Sequence, residues 1–154
     1  MAIQNKGTLF QPDAEGARTQ FAALCYRVVK DKPQILLITS RGTRRWIVPK
    51  GWPMAGKTPG ACALREAYEE AGVIGRVADR PLGIYPYIKL MDDRSEVPCA
   101  GLLFPVRVSA LRAEYPEVGE RRRKWVSRKN AAARVDEPAL AQLIRDFDPR
   151  QFRL

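Results

Sequence analysis

The chain of 154 residues has no histidine and only three cysteines, Cys25, Cys62 and Cys99, with no close-spaced pair. A zinc or copper site built from nitrogen and sulfur ligands therefore has little to draw on. An odd, scattered set of thiols predicts buried cysteines in a reducing compartment and no disulfide frame. No apolar run approaches the roughly 18 to 20 residues of a membrane span, so no membrane partner is expected. The opening MAIQNKGTLFQPDAEGARTQ lacks the apolar core of a signal peptide, and the expectation is a cytoplasmic protein. Internal repeats and low-complexity tracts are also missing.

What is abundant is positive charge. Lys and Arg number 27 against 17 Asp and Glu, a formal charge of +10, and such a field favours anionic partners: nucleic acid, a membrane surface or a small polyanion. The excess gathers in two places. Arg41, Arg44, Arg45, Lys50 and Lys57 form one group, and Arg121, Arg122, Arg123, Lys124, Arg128 and Lys129 the other. Each run leads into an apolar segment, Trp46 and Ile47 or Trp125 and Val126, so neither reads as a disordered tail.

Length and composition, 45% hydrophobic and 29% charged, fit one soluble domain with a sizeable core. Residues 1–18 are polar and predict a flexible N-terminal arm, with the domain over 19–148. TQFAALCYRVVK and QILLITS, separated by the turn DKP, predict a hairpin. RWIVPKG reads as a short strand ending at Pro49. A third extended region runs from Gly75 to Ile88, interrupted by Pro81 and Pro86, and MDDRSE forms a hairpin tip before the strand VPCAGLLFPVRV. Beyond Val108 the pattern turns to a polar connector, then a short extended piece, RRRKWVS. Ser127 can cap a small helix through Arg134, and Asp136 the last helix, whose buried stripe is Leu140, Leu143, Ile144 and Phe147. This order predicts an α/β fold, a mixed β-sheet between helices.

The most informative stretch is GWPMAGKTPGACALREAYEEAGV, from Gly51 to Val73. Thr58 is a plausible N-cap with Pro59 at the first helical position, and Gly72 supplies a left-handed stop. Gly60, Leu64, Ala67, Tyr68 and Ala71 recur at helical spacing as the apolar face, which puts Glu66, Glu69 and Glu70 together on the opposite one. Three carboxylates within about one turn repel each other unless water or a cation intervenes, and a hard divalent cation suits them best. On helix pattern alone, a solvated face with i,i+4 pairs is the commoner explanation.

The spacing resembles the Nudix hydrolase signature, Gly-x5-Glu-x7-Arg-Glu-apolar-x-Glu-Glu-x-Gly-apolar. Here it reads Gly51, Lys57, Arg65, Glu66, Ala67, Glu69, Glu70, Gly72 and Val73, so eight of nine places match. Lys57 stands where the family usually has a carboxylate; it is either an exposed loop residue or a contact for substrate phosphate. The flanks TSRGTRRWIVPKG and ERRRKWVSRKNAAARVDEPALAQLIRDF resemble the branch that hydrolyses diphosphoinositol polyphosphates and diadenosine polyphosphates, although Lys50-Gly51-Trp52 replaces that branch's Gly-Gly-Gly run.

The resemblance implies an α/β/α sandwich and attack of water on a diphosphate linkage assisted by Mg²⁺, with Mn²⁺ as the alternative ion. It implies metal ligation by Glu66, Glu70 and the Gly51 carbonyl, Glu69 as a ligand or the general base, and Arg65 holding a glutamate in place. A further acid would come from Glu120, Glu117 or Glu96, with Glu120 preferred. Arg41, Arg44, Lys50, Lys57, Arg94 and Lys124 are the candidates for gripping substrate phosphates. The expected partner is thus a small molecule bearing several phosphates. Less favoured are RNA, with the chain acting on 5′ ends, and a catalytically silent binding role motivated by Lys57.

Overall fold

A computed structural model describes residues 16–154. The arm expected at the N-terminus thus lies outside the described residues up to residue 15, and its last position, Arg18, already belongs to a strand. The order is β1 (Arg18–Val29), β2 (Lys32–Thr39), β3 (Trp46–Ile47), β4 (Lys50–Gly51), α1 (Pro59–Ala71), β5 (Val73–Val77), β6 (Gly83–Leu90), β7 (Glu96–Leu111), β8 (Arg123–Ser127), α2 (Arg128–Arg134) and α3 (Pro138–Asp146), then a 3₁₀ turn, Pro149–Gln151. Among the described residues the eight strands form one mixed sheet. β1 is its centre, antiparallel to β2 and β4 and parallel to β7; β5 and β6 join β7, while β3 and β8 join β2.

Strand periodicity gives the sheet two buried faces. Phe21, Ala23 and Cys25 of β1 pack with Cys62, Ala63 and Ala67 of α1, while Ala22, Leu24 and Tyr26 pack with Leu140, Ile144 and Phe147 beside α3. A strand covered on both sides loses the polar alternation and reads as a continuous apolar run, as AALCY does. The three thiols are free and buried.

The β1–β2 hairpin turns on Lys30 and Asp31, both at positive φ (51° and 65°), the mirror-image turn that matches strand twist. Three expectations about the strands need correction. RWIVPKG does not stop at Pro49: it breaks there, pairing first with β2 and then, as β4, with β1. Pro86 does not interrupt β6, because β6 pairs with β7 alone and an edge strand tolerates a missing N–H. β7 runs past Val108 to Leu111, carried by its pairing with β5.

Helix α1 follows its local signals: the Thr58 side chain accepts from the Ala61 N–H, Pro59 opens the helix, and Gly72 closes it at φ 70°. A Cβ on Gly72 would also lie 2.6 Å from the Tyr115 ring. Strain and overlap act together, so Gly72→Ala is expected to destabilise the fold by about 2 kcal/mol or more in urea melts. Asp136 does not cap α3. The cap position is Glu137, without a side-chain cap bond, because Asp136 is drawn to Arg45 at 3.2 Å.

Candidate active site

The glutamates of α1 do not share one solvated face. Glu70 is turned inward and only 7% exposed, Glu66 is half-buried, and Glu69 lies at the margin, bonded to Arg65 (Nε to Oε2, 2.6 Å). The difference arises because small residues, Cys62, Ala63 and Ala67, bring the helix close to the sheet, and Glu70 falls on that side. The half-buried Leu64 and Tyr68 mark the edge of the packed face.

Opposite the helix lies β4. A Cβ on Gly51 would overlap the Glu66 carboxyl group, so glycine is what allows backbone and carboxylate to meet. The Glu66 and Glu70 carboxyls are neighbours, each acting on the other's protonation. Burial raises both carboxyls, Glu70 to about 8, with Arg121 pulling it back. Burial depresses the Lys50 ammonium to about 8 as well, against the attraction of Glu70.

Arg121 is the element that sequence reading missed, having counted it only within a basic run. Its guanidinium is nearly buried, 3.9 Å from Glu70 and 3.1 Å from Glu117, and donates to the Thr39 carbonyl at 3.2 Å. The Glu117–Arg121 spacing of four was the one visible signal. The Glu117 N–H also donates to the Glu69 carbonyl at 3.0 Å, so Glu117 borders the carboxylates. Glu120, the preferred acid, pairs instead with Arg41 at 3.2 Å, both side chains largely exposed.

Of the other cations, Lys50 sits over the Tyr87 ring at 5.2 Å, and Arg41 feels the charge of Glu117 and Glu70 after that of Glu120. Arg44 and Arg94 occupy exposed loops at φ 58° and 71°, Lys57 is exposed in the loop before α1, and Lys124 is exposed on β8. Among the described residues, none of these four forms an ion pair with Glu66, Glu69 or Glu70. Trp46 and Trp52 pack against the core at its margin.

Among the described residues no three acids, cysteines or histidines converge into a complete metal cage. Mg²⁺ does not require one: it keeps several waters and is held by one or two carboxylates together with substrate phosphates. Two carboxyls that burial holds above their ordinary range, Glu70 buried and Glu66 half-buried, beside a glycine-opened backbone fit such an ion, whose arrival would displace any proton they hold. In metal-free protein the sign is therefore fixed. Glu70, raised above its usual 4.5, contributes stability that is complete below that value and is lost as pH rises through about 8. Thermal melts in chelator should fall from about pH 6 to about pH 8, then level or recover as the depressed Lys50 deprotonates, and Glu70→Gln should remove the fall.

A mixed sheet between helices, with buried glutamates of one helix against a glycine loop, defines an α/β fold built around an acidic loop–helix unit. The chain belongs to the NUDIX family: residues 18–147 match the NUDIX domain. Over 73 residues it is 42% identical to human diphosphoinositol polyphosphate phosphohydrolase 3-alpha, covering 47% of this chain and 44% of that protein. The mouse diphosphoinositol polyphosphate phosphohydrolase 2 matches at the same identity over 47% and 40%. The matched stretch thus spans less than half of these curated relatives. Among solved structures, a Nudix hydrolase from Nitrosomonas europaea superposes with TM-score 0.62 at 21% identity, over 84% of this chain and 87% of that one. The C. elegans Ap4A hydrolase does so with TM-score 0.60 at 17% identity, over 84% and 94%; at these identities the likeness concerns the fold.

Proposed function

We propose that the chain hydrolyses a diphosphate linkage in a small polyphosphorylated molecule, a diphosphoinositol polyphosphate or a diadenosine polyphosphate, with Mg²⁺ or Mn²⁺. The observation that carries this reading is the meeting of Gly51 with the pair formed by half-buried Glu66 and buried Glu70. The names of the relatives, diphosphoinositol polyphosphate phosphohydrolases and an Ap4A hydrolase, support the substrate class.

Glu66, Glu70 and the Gly51 carbonyl would hold the ion, which supplies charge neutralisation of the phosphate oxygens and orients the attacking water. The low-dielectric setting that raises the two carboxyls makes their charge effective once they are ionised. Arg65 fixes Glu69, which either completes the ligand set or takes the proton from water. Arg121 holds Glu70 in place from behind, sparing that carboxylate rotational freedom. Lys50 and Arg41 would meet substrate phosphates, with Arg44, Lys57, Arg94 and Lys124 available to a ligand that extends outward.

A second reading, hydrolysis at RNA 5′ ends, is favoured by one feature: Arg122 and Arg134 flank the Trp46 ring at 5.6 and 5.7 Å, beside exposed Lys124 and Lys129. A panel decides between them: diphosphoinositol pentakisphosphate, diadenosine hexaphosphate and 5′-triphosphate RNA, each with Mg²⁺, with Mn²⁺ and with neither. Turnover of either small molecule and none of RNA supports the first reading. Turnover of RNA alone, falling steeply with salt, supports the second. Silence with every substrate and both ions would overturn catalysis and leave the binding role that Lys57 suggested.

A further inference from the structure

We infer that the α3 side of the sheet carries a second oxyanion site, formed by Arg76, Arg107 and the Tyr26 hydroxyl on three adjacent strands and suited to a phosphate group. Register places the three in one row. Tyr26 of β1 is opposite Arg107 of β7, and Arg107 is opposite Arg76 of β5. With Tyr26 packed among the residues beneath α3, the period-two alternation of the sheet sends all three side chains to the same face.

Two like charges directly opposite one another on a sheet repel, and nothing among the described residues neutralises these. Neither guanidinium enters an ion pair with a carboxylate, and both residues are exposed. The Tyr26 residue is fully buried, its ring set edge-on to Phe147 at 4.9 Å, yet its hydroxyl makes no hydrogen bond of regular geometry, with Arg107 beside it as a near donor. The charged groups acting on that hydroxyl are Arg107 and Arg76. An unmatched buried hydroxyl costs free energy. Here it faces two cations, and all three groups have hydrogens to donate.

The backbone is shaped for this pairing. The β5–β7 register shifts between Ile74 and Gly75, just before Arg76, and such a bulge re-aims the next side chains. A Cβ on Gly75 would overlap the Arg107 carbonyl, so the close approach of the strands needs glycine there. A donor set of two guanidiniums and one hydroxyl, with no carboxylate in it, suits a ligand that only accepts: a tetrahedral oxyanion. The site uses none of the residues placed around Gly51 and Glu70, so it stands whether or not the proposed hydrolysis is correct.

The test is titration calorimetry of the metal-free, full chain with inorganic phosphate and, separately, tripolyphosphate, at constant ionic strength set with chloride. Wild type should bind with saturation; tighter binding of the longer anion would mark a polyphosphate as the source, and equal binding free phosphate. Arg76→Gln with Arg107→Gln should weaken binding about tenfold or more. Tyr26→Phe, which keeps the ring packing, should weaken it without lowering the melting temperature. Lys30→Gln with Lys32→Gln, removing the same charge elsewhere, should leave it unchanged. In addition, Arg76→Thr should melt higher than wild type in anion-free buffer, with the gap closing as phosphate is added. Equal loss in the lysine variant, or unchanged binding in the arginine and Tyr26 variants, would overturn the site.

Discussion

Glu70→Gln is expected to lower metal-dependent turnover roughly a thousandfold, the loss that corresponds to several kcal/mol of transition-state stabilisation. The fold should survive. In metal-free protein burial holds the Glu70 carboxyl up to about 8, so near neutrality it is largely protonated and an amide of the same shape replaces it at little cost. Arg121 keeps Glu117 at 3.1 Å and the Thr39 carbonyl at 3.2 Å and is not left as an unpaired buried charge, the circumstance that makes such deletions severe. The expected result is a nearly inactive enzyme whose melting temperature already exceeds that of wild type at about pH 6, because the loss begins above 4.5, and exceeds it by more at about pH 8. Steady-state kinetics at saturating Mg²⁺, alongside melts at both pH values, check it. Near-normal turnover would remove Glu70 from the site.

Gly51→Ala should inactivate by displacement. The added methyl occupies the space of the Glu66 carboxyl group. A glutamate tip is flexible, so the side chain swings aside at a modest cost in stability, but it leaves the glycine backbone and the neighbouring Glu70 carboxyl. The loss of a correctly placed ligand is expected to reduce turnover by about a hundredfold or more. Raising Mn²⁺ should recover part of it, because the ligands remain in the chain. Activity within a few-fold of wild type would show that contact between Gly51 and Glu66 is incidental.

What could be read in the sequence was what local chemistry decides. Thr58, Pro59 and Gly72 define α1 through caps that involve only near neighbours, and Ser127 does the same for α2 through its bond from the Asn130 N–H at 3.1 Å. The two-sided burial of β1 was visible as an unbroken apolar run. Long-range packing was not. Apolar spacing placed Glu70 outward with Glu66 and Glu69, because Cys62 and Ala63 weigh little in such a pattern, yet their small volume is what draws the helix against the sheet. Arg121 and Glu70 meet only because β8 returns beside β2, a pairing no local signal announces. Asp136 has the right type for a cap, but an arginine far away in sequence claims it.

The proposed hydrolysis requires that Glu66, Glu70 and the Gly51 carbonyl hold a divalent cation. Electron paramagnetic resonance of Mn²⁺ titrated into the chain tests it without any substrate. The predicted result is one bound Mn²⁺ per wild-type chain, displaced by excess Mg²⁺, with the bound fraction sharply reduced in Glu70→Gln and in Gly51→Ala at the same pH. Equal Mn²⁺ binding by wild type and both variants, or no saturable binding by wild type, would contradict it.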